Sequence, residues 1–227
     1  MAQLHRDPKY NEREVEKEKA REARIARNRA EAAPLVDALG AAGFRVSSLS
    51  DLRNRSFDYK AAIPILIEWL AKIESLDVKQ DIVRCLSVPI AKPVAARPLL
   101  NEYRRSSDES PMGLRWTIGN ALAVVADDGV LDDLVELARD RQFGKTREML
   151  VLALGNMTDE RVLPVLIELL NDDDVCGYAI MALGKLKRSF TRAHIEPFLK
   201  DKRAWIRDEA KRALKGASRC GERPTRR

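Results

Sequence analysis

Between Asp58 and Gly216 one short pattern recurs: a leucine held between small residues. It stands as Cys85-Leu86-Ser87, Ala121-Leu122-Ala123, Ala153-Leu154-Gly155, Ala182-Leu183-Gly184 and, more loosely, Ala213-Leu214-Lys215. The leucines are 36, 32, 29 and 31 residues apart. Self-similarity at such a period identifies a stacked array, because a unit of this size cannot bury its apolar face alone and must close it on its neighbours.

The units resolve into helix pairs. First helices carry a proline near their start, at Pro64, Pro98, Pro164 and Pro197, with Asp132 in that place in the third pair. A proline in the first helical turn sacrifices nothing, since its missing N–H has no intrahelical acceptor there. Apolar residues follow at helical spacing, as in Ile63, Leu66, Ile67 and Leu70, and again in Leu163, Leu166, Ile167 and Leu170. Second helices align on the repeated leucine. Eight residues before it stand Val78, Leu114, Thr146, Val175 and Ile206, and four before it Ile82, Ile118, Leu150, Ala179 and Ala210. With the small residue one before, these positions share one face at 3.6 residues per turn. Seven before the leucine is a cation in four units (Lys79, Arg115, Arg147, Arg207) and Cys176 in the other.

Proline in helix one, then Val/Ile-Arg and Ala-Leu-Gly in helix two, resembles HEAT repeats, in particular the short bacterial kind called PBS-lyase HEAT-like repeats. The fourth unit, from Leu163-Pro164 through Asp172-Asp173-Asp174-Val175 to Ala182-Leu183-Gly184, matches best, and the first departs most. The resemblance implies an all-α fold: a right-handed α-solenoid (α-α superhelix) of about five helix pairs over residues 58–216. Residues 1–57 are expected to form a charged helical extension and cap, and residues 217–227 a basic disordered tail. Within 1–57 the residues predict a charged helix from Asn11 to Ala32, either solvated or a docking element. A separate short helix is expected to open at Pro34 and close at Gly40 and Gly43, and a turn around Leu52 to be capped by Ser48 or Ser50.

The net charge of +6 is unevenly spread. From Asp127 to Asp174 there are 13 acidic and 5 basic residues, net −8; from Lys185 to Lys215 there are 11 basic and 4 acidic, net +7. Such asymmetry speaks to partners rather than to fold. No stretch approaches the roughly 18 apolar residues of a membrane span. The start lacks the apolar run of a secretory leader. Three cysteines with no metal-like spacing suit reduced thiols. A cytoplasmic protein with no membrane contact is expected.

Chemistry is hard to place on this chain. Its two histidines, His5 and His194, have no convergent partners, neither Cys85 nor Cys176 has a histidine in its helix pair, and no Gly-rich phosphate loop occurs. The acidic runs Asp172-Asp173-Asp174 and Asp127-Asp128 fall at helix junctions, where aspartate caps the following helix. The resemblance brings enzymatic precedents, a bilin lyase and a DNA glycosylase, that these residues do not otherwise support. No catalytic residue, metal or cofactor is expected.

That leaves surfaces. The second-helix stripe at positions −6, −2 and +2 from the leucine is expected on the concave side. It includes Trp116, Asn120, Glu148, Leu152, Asn156, Met181 and Lys185. Trp116, Leu152 and Met181 read either as anchors for a partner protein or as core between closely curved units. At the basic end, Lys202, Arg203, Arg207, Lys211 and Arg212 read either as a polar cap or as contacts to nucleic acid. The first expectation is a non-enzymatic scaffold binding another protein along the concave face; a nucleic-acid module using the basic end and tail is the alternative.

Overall fold

The computed structural model describes residues 8–54, 58–107, 110, 112–186 and 192–218. Among them there is helix and turn and no strand. The chain divides into two compact units, residues 1–82 and 83–227.

The first unit contains α1 (Pro8–Ala41), α2 (Leu49–Asn54), α3 (Ile63–Lys72) and the start of α4 (Leu76–Leu86). Sequence reasoning separates the charged helix from one opening at Pro34, yet α1 runs through that proline without a break. Pro34 is exposed and so is Ala30, whose carbonyl loses its N–H donor, so water can take the vacated bond. The helix has two halves. Residues 11–27 are exposed throughout, with pairs such as Lys17–Glu14 (2.7 Å) on the surface. From Asn28 onward it docks: Leu35 and Leu39 are fully buried. Glu31 accepts the Glu74 and Ser75 N–H groups, both at 2.8 Å, and Asn28 donates to Asp77 at 2.8 Å, so α1 caps the start of α4. Gly43, at φ +92°, closes α1, its N–H bonding the Gly40 carbonyl at 3.0 Å. Ser48 caps α2 by accepting the Asp51 N–H at 3.2 Å. A cleft of about 680 Å³ opens in this unit, among Ile25, Arg29, Val36, Ser47 and Asp81.

The second unit is the repeat stack. Helix pairs α5 (Ala96–Arg105)/α6 (Leu114–Val125), α7 (Leu131–Arg139)/α8 (Glu148–Leu154) and α9 (Val162–Leu169)/α10 (Cys176–Leu186) follow one another. In the last pair, α11 (Arg192–Ile195) and a 3-10 turn (Glu196–Lys200) precede α12 (Ala204–Ser218). Each first helix packs on the second of its own pair, and the second helices pack in series, α6 on α8, α8 on α10 and α10 on α12. This is an α-solenoid. Every side chain at positions −8, −4, −1 and 0 is buried in all five pairs. Each buried aliphatic of this size stabilises by about 1.5–3 kcal/mol relative to exposure.

The small residues now have a geometric reason. A Cβ on Gly155 would lie 2.7 Å from Ala182 Cα, and one on Gly184 would lie 2.9 Å from Ala213 Cβ. In the third and fourth pairs the glycine after the leucine therefore meets the alanine before the next leucine, and the two backbones nearly touch. The single polar residue at a −8 position, Thr146, is satisfied: its hydroxyl donates to the Phe143 carbonyl at 2.6 Å and accepts from Tyr103 at 3.0 Å. Burial pushes the Tyr103 phenol up to about 12.

In the second, third and fifth pairs the arginine at position −7 ties the second helix to the segment that ends its own first helix. Arg115 donates from Nη2 to the Ser106 carbonyl and from Nε to that of Tyr103. Arg147 donates to Ala138 and Gly144 carbonyls, both at 2.9 Å. Arg207 donates to the Asp201 carbonyl at 2.8 Å. Most of these carbonyls lie at or just past the end of a helix or 3-10 turn, where backbone acceptors run short of intrahelical donors. Arg147 is fully buried, and also pairs with Asp172 of the next unit at 2.9 Å. Asp172 meanwhile accepts the Asp174 N–H at 3.1 Å, as a cap should. Asp127 likewise caps the turn at Gly129 (3.0 Å), whereas Asp128 reaches forward to bind the Thr158 N–H at 2.9 Å.

Candidate functional site

The stripe expected to bind a partner is carried by α6, α8 and α10. Trp116, Leu152 and Met181 are all half-buried: each gives part of its surface to the stack and leaves part open. The polar members behave differently from one another. Asn120 turns back onto its own helix, donating to the Trp116 carbonyl at 2.9 Å. Asn156 donates to the Ala123 carbonyl at 2.8 Å and accepts from Lys185 at 3.2 Å. That chain of bonds stitches the second, third and fourth pairs together, so Asn156 and Lys185 act as inter-repeat ties. Partial burial lowers the Lys185 ammonium from its ordinary value.

Glu148 is half-buried on α8, one helical turn before Leu152. Desolvation raises its carboxyl above the ordinary range, and a hydrogen bond from the Tyr178 hydroxyl partly offsets this. The fourth pair supplies glycine, Gly177, at the place where the third has Glu148. Trp205 from α12 fills that space: the benzo edge of its ring comes within 2.0 Å of where a Gly177 Cβ would stand. Trp205 also meets Tyr178 edge-on, ring centroids 6.2 Å apart, and remains 48% exposed. Two members of this surface, Tyr178 and Trp205, do not emerge from position counting alone. The signal that could have found them is Gly177 itself, a hole in an otherwise side-chain-bearing stripe.

Residues 96–177 match the family model for HEAT repeats. This stretch of the chain is similar to a run of HEAT repeats. No curated protein matches the chain. Among solved structures, a designed armadillo repeat protein in complex with a (KR)4 peptide is similar at 17% identity, over 69% of this chain and 82% of that one, with a TM-score of 0.49. A second designed armadillo repeat protein gives 16% identity over 69% and 82%, at 0.46. An engineered protein gives 20% identity over 75% and 89%, also at 0.46.

Beyond the matched HEAT repeats lies the basic end, whose charges are largely engaged within the chain. Arg203 pairs with Asp201 at 2.9 Å and Asp173 at 3.1 Å, and its Nη2 lies 3.2 Å from Cys176 Sγ. These contacts hold the Asp201 carboxyl down at about 2 and raise the Arg203 guanidinium further. Arg207 is bound to carbonyls, Lys211 pairs with Asp208 at 2.9 Å, and Arg212 pairs with Glu209. Lys202 is exposed. The tail cations Arg219, Arg223, Arg226 and Arg227 lie outside the described residues. Elsewhere, Cys85 and Cys176 are buried thiols in no disulfide, Cys220 lies outside the described residues, and His194 is exposed. Among the described residues no group of three His, Cys, Asp or Glu side chains is placed to hold a metal ion, and no helix is long and apolar enough to cross a membrane.

Proposed function

We propose that the chain is a non-catalytic scaffold that binds another protein along its second-helix face, with Trp116, Leu152 and Met181 as apolar anchors. The observation that carries this reading is their half-burial: three large apolar side chains on successive second helices are fixed by the stack yet open on one side. Interfaces favour rigid aromatic and aliphatic anchors of this kind, held in place before the partner arrives. Trp205 over Gly177 lengthens the surface by one unit. Asn156 and Lys185 contribute by holding neighbouring units in register rather than by contacting the partner.

In this reading residues 58–216 work as the array, with 1–57 as its cap and 217–227 as a basic tail. Two buried thiols in no disulfide suit a reducing compartment, which supports the cytoplasm as the place of action. Internal pairing of Arg203, Arg207, Lys211 and Arg212 weighs against the basic end as a nucleic-acid site, because a phosphate would have to displace those partners.

The test compares proteins retained by the intact chain with those retained by Trp116→Ala and Leu152→Ala variants. A partner lost from both variants while far-UV circular dichroism stays unchanged supports the reading. Retention identical to wild type, or loss of helicity in both, ends it.

A further inference from the structure

The first half of α1 has none of its apolar side chains buried. Residues 11–27 are exposed throughout, about 25 Å of helix, with Val15 52% and Ile25 53% exposed, whereas Leu35 and Leu39 farther along are fully buried. Helices draw most of their stability from packing one face, and this half packs none on its own chain. Its sequence nevertheless carries a stripe at alternating steps of three and four residues: Glu12, Val15, Lys19, Glu22, Ala26 and Arg29. All six are exposed, and a shallow apolar groove open to solvent runs along Glu22, Ala26 and Arg29. Among the described residues none of the four charged members is in an ion pair, and the pairs that this half does make, Glu14–Lys17 and Glu18–Arg21, lie off the stripe. The order of signs along the stripe is self-complementary. In an antiparallel pair of two copies, with the two-fold axis between Ala20 and Arg21, Glu12 stands against Arg29, Val15 against Ala26 and Lys19 against Glu22, and the axis repeats each layer. Sliding one helix by a heptad opposes Glu12 to Glu22, or Lys19 to Arg29. A parallel in-register pair opposes every charge to its own copy. Of these arrangements only the first matches each layer, and mismatched charge weighs against the others.

We propose that the exposed half of α1 is a homodimerisation element, which pairs antiparallel with α1 of a second copy through the stripe from Glu12 to Arg29. Charged layers in such a seam fix direction and register at a cost in stability. The one apolar layer, Val15 on Ala26, is small, so the dimer belongs at the weak end of specific interfaces. The pairing is independent of the scaffold reading, since it uses α1 and none of the second-helix residues.

Sedimentation velocity of the full chain from about 5 to 500 µM should show monomer passing into dimer, and raising salt from about 0.1 to 1 M should move the midpoint up by about tenfold. Lys19→Glu sets a carboxylate against Glu22 of the second copy, and Glu22→Lys sets an ammonium against its Lys19. Each variant alone should stay monomeric with far-UV circular dichroism unchanged. Mixed in equal amounts, the two should associate. The double variant Lys19→Glu/Glu22→Lys, which exchanges both signs, should dimerise like wild type. Lys17→Glu makes the same change of net charge on the opposite face of the helix and should leave the dimer intact. A parallel pair, with like charges opposed from the start, would not separate Lys19→Glu from wild type. A chain that stays monomeric at every concentration overturns the proposal, and leaves this face of α1 to another protein or to water. So does a dimer that survives Lys19→Glu, one lost equally in Lys17→Glu, or a double variant that stays monomeric.

Discussion

The third and fourth helix pairs solve the same problem with opposite residues. In the third, Arg147 at position −7 is fully buried and grips the end of its own first helix, and Glu148 follows it. In the fourth, Cys176 takes the −7 place and Gly177 follows. Arg203 then comes back from the next pair to the Asp173 carbonyl at 3.1 Å, and Trp205 fills the space above the glycine. One pair is closed from within and the other from its neighbour. A repeat position thus conserves a task, supplying donors to stranded carbonyls, more than a residue. The borrowed solution places an aromatic ring at the surface, where the self-contained one places a carboxylate.

The comparison can be broken most severely at Arg147. Arg147→Met leaves Asp172 and two carbonyls without their buried donor, and should cost about 3–5 kcal/mol in chemical denaturation. Gly155→Ala forces a methyl group against the Ala182 backbone and should cost about 1–3 kcal/mol, with the third and fourth pairs driven apart. Arg203→Met should cost only about 1 kcal/mol, because Arg203 itself and its partner Asp173 lie nearer to solvent than Arg147 does; a loss as large as that of Arg147→Met would erase the distinction between internal and borrowed closure.

Two pH experiments sharpen it further. Tyr103 ionises at about 12 in the folded chain against 10 when unfolded, so its contribution is complete below pH 10 and is lost as pH rises toward 12. Tyr103→Phe should flatten that alkaline decline in a thermal melt. Glu148 has the smallest effect. Its raised carboxyl means that the folded state holds the proton more tightly, so stability falls as pH rises upward from 4.5. Glu148→Gln should therefore melt at the same temperature as wild type at pH 7, or slightly higher.

Much of the architecture was legible because it is periodic. The first-turn prolines and the −8, −4, −1 and 0 face follow from helix geometry alone, and they stand at the starts of helices or of a 3-10 turn, or buried, as read, while the residue after the leucine ranges from buried Gly155 to exposed Lys215. The continuity of α1 through Pro34 was not, because it depends on whether water reaches one carbonyl. The job of the −7 cation was visible as a recurrence but not as a contact, since its acceptors are backbone atoms that leave no trace in sequence. The surface was half legible: Trp116, Leu152 and Met181 share a stripe by counting, whereas Trp205 enters it from another helix through the gap at Gly177. Asn156 and Lys185 looked like a rim and turned out to be stitching.

The glycine–alanine contact between successive second helices also sets the fifth pair apart. At Gly155 and Gly184 the residue after the leucine has no side chain and admits the next alanine, whereas Ser87 and Ala123 hold that place in the first two pairs. In the fifth pair that place is held by Lys215, long, charged and exposed. The bare-backbone seating used twice farther up the chain therefore has no counterpart on that last helix, whose corresponding position faces water instead.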